Sequence, residues 1–215
     1  MSIEHHQVET NGIRLHVAAM GPKDGPLLIL LHGFPEYWGA WKAHMPLLAA
    51  AGFRVLAPDQ RGYNTSDKPP AVRDYHIDTL CADIIGLIDA EERARATIVG
   101  HDWGGAVAWR LAQTEPTRVE RVAVLNCCPG EVLKSAWRNP GQLRKSWYMF
   151  MFQFPWIPEL VLQRQDFAAL ADKMWGLAQP DTFSDAAIAG FKEAWAQPGA
   201  INTMLNWYRA ALRCL

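Results

Sequence analysis

Long apolar runs are missing from this sequence. The aliphatic run Leu27 to Leu31 falls far short of the roughly 20 apolar residues that cross a bilayer. No basic stretch followed by an apolar one opens the chain as a secretory signal would, so a cytoplasmic protein is expected. An excess of one charge is missing too: the net charge is −1 and the isoelectric point is about 6.6. That argues against nucleic acid or an anionic membrane as a charge-driven partner and leaves a small neutral ligand. Cysteine is scarce. Cys81, Cys127, Cys128 and Cys214 show no Cys-x-x-Cys spacing, so they read as free buried thiols, and neither a metal nor another cofactor is expected. Histidine is absent from the second half of the chain, since the last of the seven is His101.

What remains is an ordinary globular composition, 215 residues with 50% hydrophobic and 20% charged side chains, enough for one sizeable core and an elaboration. The organising stretch is Ile98-Val99-Gly100-His101-Asp102-Trp103-Gly104-Gly105. A β-branched run meets a glycine-flanked turn and then helix-compatible residues. This is the pattern of an elbow that lifts one residue out of a strand at positive φ, with small neighbours because side chains there would collide with the adjoining strand and helix. Asp102 is the lifted residue. A carboxylate suits attack on an alkyl carbon, giving an alkyl ester that water can hydrolyse. The alternative is that Asp102 is a turn residue capping the helix that follows.

The chain in order reads as alternating strands and helices. Val8–Thr10 and Ile13–Val17 flank Asn11-Gly12, the dipeptide of a two-residue hairpin. Leu27 to Leu31 reads as a strand covered on both faces and ends at His32-Gly33-Phe34-Pro35-Glu36. A helix is predicted over 38–51, a strand over 53–57, an amphipathic helix over 77–89 with Leu80, Ile84, Leu87 and Ile88 on one face, then the elbow, then an apolar strand over 122–126. This order implies an α/β fold with a doubly wound, mostly parallel sheet and its site at the carboxyl ends of the strands. From Val132 onward the segments read as helices rich in Trp, Phe and Met, broken by Pro155, Pro158, Pro180 and Pro198. The division expected is a core over 1–129 and a helical cap over 130–215.

His32-Gly33-Phe34-Pro35, Arg61-Gly62-Tyr63 with Ser66-Asp67, and Gly100-His101-Asp102-Trp103-Gly104-Gly105 stand in that order at successive strand ends. Together they make the chain resemble the α/β-hydrolase superfamily and, within it, the epoxide hydrolases with an aspartate nucleophile. The resemblance implies that the backbone N–H groups of Phe34 and Trp103 form an oxyanion hole, that Phe34-Pro35 is a candidate cis peptide, and that His32, Pro35 and His101 line the substrate pocket. It also implies two cap tyrosines, Tyr148 and Tyr208, as proton donors to the opening ring. The expected substrate is a small apolar epoxide.

One part of the family pattern is not met. The superfamily order is nucleophile, acid, histidine, yet no histidine follows Asp102 and the later acid is not found either. The expectation is therefore of a truncated member lacking the final strands, ending inside the cap with no helix-stop signal at Arg213-Cys214-Leu215. Two other readings stay open: a haloalkane dehalogenase, which shares the aspartate elbow and Trp103, and a non-catalytic fragment or small-ligand-binding remnant. A fluoroacetate-type dehalogenase would carry arginine where Trp103 stands. Cys127 or Cys128 as nucleophile is weak, because neither sits in an elbow. The apolar run Val122 to Leu125 is expected to leave an unpaired sheet edge, open to self-association.

Overall fold

The computed structural model describes residues 2–177, 179 and 182–213. Six strands, β1 (Glu4–Thr10), β2 (Ile13–Met20), β3 (Leu27–Leu31), β4 (Arg54–Pro58), β5 (Ala96–His101) and β6 (Val119–Leu125), form one sheet in the order β1-β2-β4-β3-β5-β6. The first two are an antiparallel hairpin, and β2 joins β4 antiparallel. From β4 through β3 and β5 to β6 every pairing is parallel. The hairpin turn places both Asn11 and Gly12 at positive φ, 46° and 75°, the geometry whose twist matches the flanking strands.

Burial along β3 explains why its sequence is apolar at every position. Leu27, Ile29 and Leu31 face one core with Leu15, Val17, Leu56 and Ile98, while Leu28 and Leu30 face a second with Ala18, Met20, Val55 and Ala57. Successive side chains of a strand point to opposite faces, so a strand covered on both sides must be apolar throughout. The first face is covered by α2 (Ile77–Ala90) and α3 (Trp103–Thr114), with Leu80, Ile84, Leu87 and Ile88 of α2 all buried. The second is covered by Trp41 of a 3-10 turn over Trp38–Trp41 and by Met45 and Ala49 of α1 (Met45–Ala50).

Two expectations are corrected here. The helix expected over 38–51 is broken in two, because Pro46 sits in the first turn of α1, where its missing N–H costs nothing but cannot continue a helix arriving from upstream. The strand β6 is the last strand of the sheet, the unpaired edge expected of the Val122 to Leu125 run, with exposed and half-buried residues along it and Leu125 47% exposed. The same edge position corrects the thiol reading. Cys81, on α2, is buried, but Cys127 is only half-buried and Cys128 is exposed just past β6. Cys214 lies outside the described residues, as does the break expected at Pro180.

After β6 the described elements are helices: α4 (Gly130–Ala136), α5 (Pro140–Lys145), α6 (Trp147–Met151), α7 (Ile157–Leu177), α8 (Asp185–Trp195) and α9 (Ala200–Arg213). Helix α7 is two pieces either side of a kink at 164–167, where Gln165, Asp166 and Phe167 have left-handed backbone angles. Helix α9 is buried from Ala200 to Ala210 except at Asn202, and is stitched to the loop after β4. Trp207 Nε1 donates to Arg61 O (3.0 Å) and Thr203 Oγ1 to Gly62 O (2.6 Å). That loop is in turn fixed by a buried pairing of Arg61 with Asp83 of α2, at 2.7 Å for both nitrogens. Among the described residues no helix is long and apolar enough to cross a membrane.

Candidate active site

Asp102 stands between the end of β5 and the start of α3 with φ 50° and ψ −119°. A non-glycine residue there carries backbone strain that the surroundings must hold in place. They do so from both sides: Asp102 N donates to Leu125 O of β6 (3.2 Å), and Ala106 N donates to Asp102 O (3.1 Å). The flanking glycines are required by close approach. A Cβ on Gly100 would lie 2.2 Å from Gly104 O, and one on Gly104 would lie 2.3 Å from Leu31 O. The Asp102 side chain makes no capping bond to α3, which removes the reading of Asp102 as an ordinary helix cap.

The carboxylate turns instead toward the loop after β3. Phe34 N donates to Asp102 Oδ1 at 2.9 Å. The Phe34-Pro35 peptide is cis. Burial raises the Asp102 pKa, Phe34, Trp103 and His101 pull it back, and Glu36 adds to the rise, leaving it above the ordinary carboxylate range. Two groups placed beside the elbow form a pair of their own. His101 Nδ1 lies 3.0 Å from Glu36 Oε2, which also accepts from Gly33 N at 3.0 Å. The pairing with Glu36 raises His101; burial opposes the ionisation of Glu36, but His101 and the Gly33 N–H more than offset it and leave its pKa lowered.

The two tyrosines reach this elbow from separate helices. Tyr208, on α9, is buried with its ring edge-on to Trp103 (5.1 Å), Phe34 (5.3 Å) and Phe152 (4.9 Å). Tyr148, on α6, lies 6.0 Å from Tyr208, centroid to centroid, and is 36% exposed. Burial first, and then the negative charge of Asp102, raises both phenols above their usual value, so both keep their protons at neutral pH.

His32 was expected in the pocket and is not exposed to it. It has no exposed surface, its Nδ1 lies 3.0 Å from Gly33 O, and its Nε2 accepts from Gln60 N at 3.1 Å. Its ring nitrogens join the loops after β3 and β4, and burial lowers its pKa. Pro35 is half-buried and its carbonyl accepts from Trp195 Nε1 of α8 at 2.5 Å. Among the described residues no group of three or more His, Cys, Asp or Glu side chains is placed to hold a metal ion.

Residues 26–186 match the family model described as alpha/beta hydrolase fold. The chain belongs to the α/β-hydrolase superfamily. It is 52% identical over 205 residues to AB hydrolase superfamily protein YfhM of Bacillus subtilis (strain 168), covering 94% of this chain and 71% of that protein. It is 40% identical over 185 residues to Epoxide hydrolase A of Mycobacterium tuberculosis, covering 83% of this chain and 56% of that one. A solved epoxide hydrolase of the same superfamily from hot-environment metagenomes superposes with TM-score 0.86 at 36% identity, covering 98% of this chain and 71% of that one. This α/β-hydrolase thus resembles epoxide hydrolases, and spans between half and three-quarters of the length of these relatives.

Three residues of the α/β-hydrolase site region were given no role from sequence. Glu36 was legible only as the residue after Phe34-Pro35, and nothing marked its partner as His101, 65 positions away. Tyr63 was seen only as part of Arg61-Gly62-Tyr63. Arg209 follows Tyr208 directly, and its sequence context looks like an ordinary surface arginine. In the fold it is buried, donating to Phe152 O (3.0 Å), Phe154 O (2.9 Å) and Asn202 Oδ1 (3.1 Å) and pairing with Glu159 of α7 (2.8 Å). It ties the end of α6 to α9, the two elements that carry Tyr148 and Tyr208.

Proposed function

We propose that this α/β-hydrolase opens small, uncharged epoxides through an alkyl ester on Asp102. What supports the reading is that Tyr148 of α6 and Tyr208 of α9 lie ring to ring, with Tyr208 against Trp103, and that the charge of Asp102, on a strained elbow, acts on both phenols. The carboxylate attacks a ring carbon, the carbon–oxygen bond of the epoxide breaks, and the oxygen takes a proton from Tyr148 or Tyr208. Opening a ring held between nucleophile and donors avoids the loss of freedom that would otherwise slow it. The N–H group of Phe34, which donates to the Asp102 carboxylate, and that of Trp103 would hold the oxygen of the tetrahedral intermediate when the ester is hydrolysed. In this reading residues 1–129 are the catalytic core and 130–215 the cap, and the exposed β6 edge offers a route to self-association.

The second half-reaction needs a base to activate water. No histidine follows Asp102 in these 215 residues, and His101, the residue just before Asp102, has its Nδ1 engaged with Glu36. The 215-residue chain is therefore expected to be alkylated once and to stall as the ester. Intact-mass measurement after incubation with a small aryl epoxide tests this. One adduct located on Asp102 supports the reading, whereas sustained diol production would identify a base within the chain, and neither product would favour a non-catalytic role. A haloalkane dehalogenase reading has the same elbow but does not call for paired tyrosines.

A further inference from the structure

Two backbone carbonyls, one beside each tyrosine, are bonded by a single side chain that the proposed reaction does not use. Gln153 lies in the turn just after α6 and is half-buried. Its Nε2 donates to Met149 O, the carbonyl of the residue after Tyr148, and to Tyr208 O on α9, both at 3.1 Å. One amide group thus joins the two stretches of helix from which the tyrosines project. Arg209 fastens the chain past α6, at Phe152 O and Phe154 O; Gln153 fastens the tyrosine-bearing turns themselves.

The amide is held in the orientation that allows this. A glutamine carries two donors on its nitrogen and only acceptors on its oxygen, so its neighbours decide which way it points. Gln153 Oε1 accepts from Arg213 Nε at 3.1 Å, and Gln153 O accepts from Arg213 Nη2 at 2.5 Å. A guanidinium has donors only, so it takes the amide oxygen and leaves the NH2 group to the two carbonyls. Arg213 and Tyr208 belong to the same helix, α9. The rings repeat the pattern: Phe152, whose N–H donates to Tyr148 O at 2.9 Å, lies 5.8 Å from the Tyr148 ring and 4.9 Å from that of Tyr208.

We propose that Gln153 is a positioning residue for ring opening: by bonding the carbonyls of Met149 and Tyr208 it sets the 6.0 Å separation of the Tyr148 and Tyr208 rings. A proton donor displaced by about 1 Å loses on the order of 10²-fold in rate, so a group that fixes the spacing of two donors acts on the chemical step. That kinetic consequence rests on the reading of Tyr208 as a proton donor to an epoxide; the spacing does not.

Two measurements on the full 215-residue chain test this, both with Gln153→Met, which keeps the length of the side chain and removes its donors. In crystal structures of parent and variant, the separation of the Tyr148 and Tyr208 rings is expected to widen in the variant. An unchanged separation overturns the proposal. The second is the rate of Asp102 alkylation by a small aryl epoxide, followed by intact mass. Gln153→Met is expected to slow the rate at saturating epoxide by about tenfold, less than the full cost of a displaced donor, with the half-saturating concentration unchanged. In a Tyr208→Phe background the same substitution is expected to slow the reaction no further, because the hydroxyl it positions is gone. Equal slowing in both backgrounds, or none in the parent, overturns the positioning role, since a merely structural residue acts whether or not Tyr208 keeps its hydroxyl. If the parent forms no adduct, or Tyr208→Phe matches its rate, the nucleophile or donor reading fails, and the ring separation alone decides Gln153.

Discussion

The sheet and the helices that follow it hold their functional residues by different means. In the sheet Asp102 is placed by backbone: glycines that permit close approach, hydrogen bonds to Leu125 and Ala106, and a strand buried on both faces. In α6 to α9 the tyrosines are placed by side chains, chiefly the Arg209 guanidinium spanning Phe152, Phe154 and Glu159. The surface differs accordingly. Large exposed apolar residues cluster in the helical part, among them Trp147, Phe154, Trp156 and Leu160, while β3 and β4 have no exposed residue. A backbone-built site tolerates little change in the chain that forms it, whereas a side-chain-built site can be loosened without unfolding the sheet.

This contrast can be broken at several points. The largest effect is expected from Asp102→Asn, which should abolish the epoxide adduct in intact-mass spectra, provided the amide has not hydrolysed back to aspartate. Tyr148→Phe and Tyr208→Phe should each slow alkylation by about 10²-fold or more, the scale of a lost general acid, with unchanged circular dichroism. A single variant retaining full rate would show that one donor suffices.

Arg209→Met tests the side-chain scaffold. Leaving the half-buried Glu159 without its partner should cost up to about 3 kcal/mol, and hydrogen exchange should rise in α6 and α9 but not in β3 to β5. Uniform loss of protection would mean that the two regions unfold together. Gly104→Ala tests the backbone scaffold from the other side. A Cβ 2.3 Å from Leu31 O must displace main chain, at about 1–3 kcal/mol, and protection should fall in β3 and β5 first.

The smallest effect is one of pH. Asp102 binds its proton more tightly folded than unfolded, so its ionisation weakens the fold once pH passes the unfolded value of about 3.9, and fully so above the folded value. Asp102→Asn should therefore melt slightly higher than the parent at pH 7, and the difference should vanish near pH 3. A melting difference independent of pH would assign the change to packing.

How much was legible beforehand follows from the range of the forces involved. Asn11-Gly12, the period of α2 and the Gly100–Gly105 elbow rest on local sterics and periodicity, and all three stand where the sequence placed them. The helix expected over 38–51 fails on an equally local signal, Pro46 in the first turn of α1. The position of β6 at the sheet edge is also the one expected, but its apolar run does not reveal how exposed its side chains are, because burial is decided by the whole sheet.

By itself, then, the sequence determined the strand and helix order, the elbow and its strained aspartate, because glycine, proline and alternation act within a few residues. Only the tertiary structure decided that His32 is enclosed, that His101 pairs with Glu36, that Arg209 is buried, and that Tyr148 and Tyr208 lie ring to ring, with Tyr208 against Trp103. Those facts depend on residues far apart in the chain sharing a low-dielectric interior, where a charge or a hydroxyl is set by its neighbours in space rather than by its neighbours in sequence.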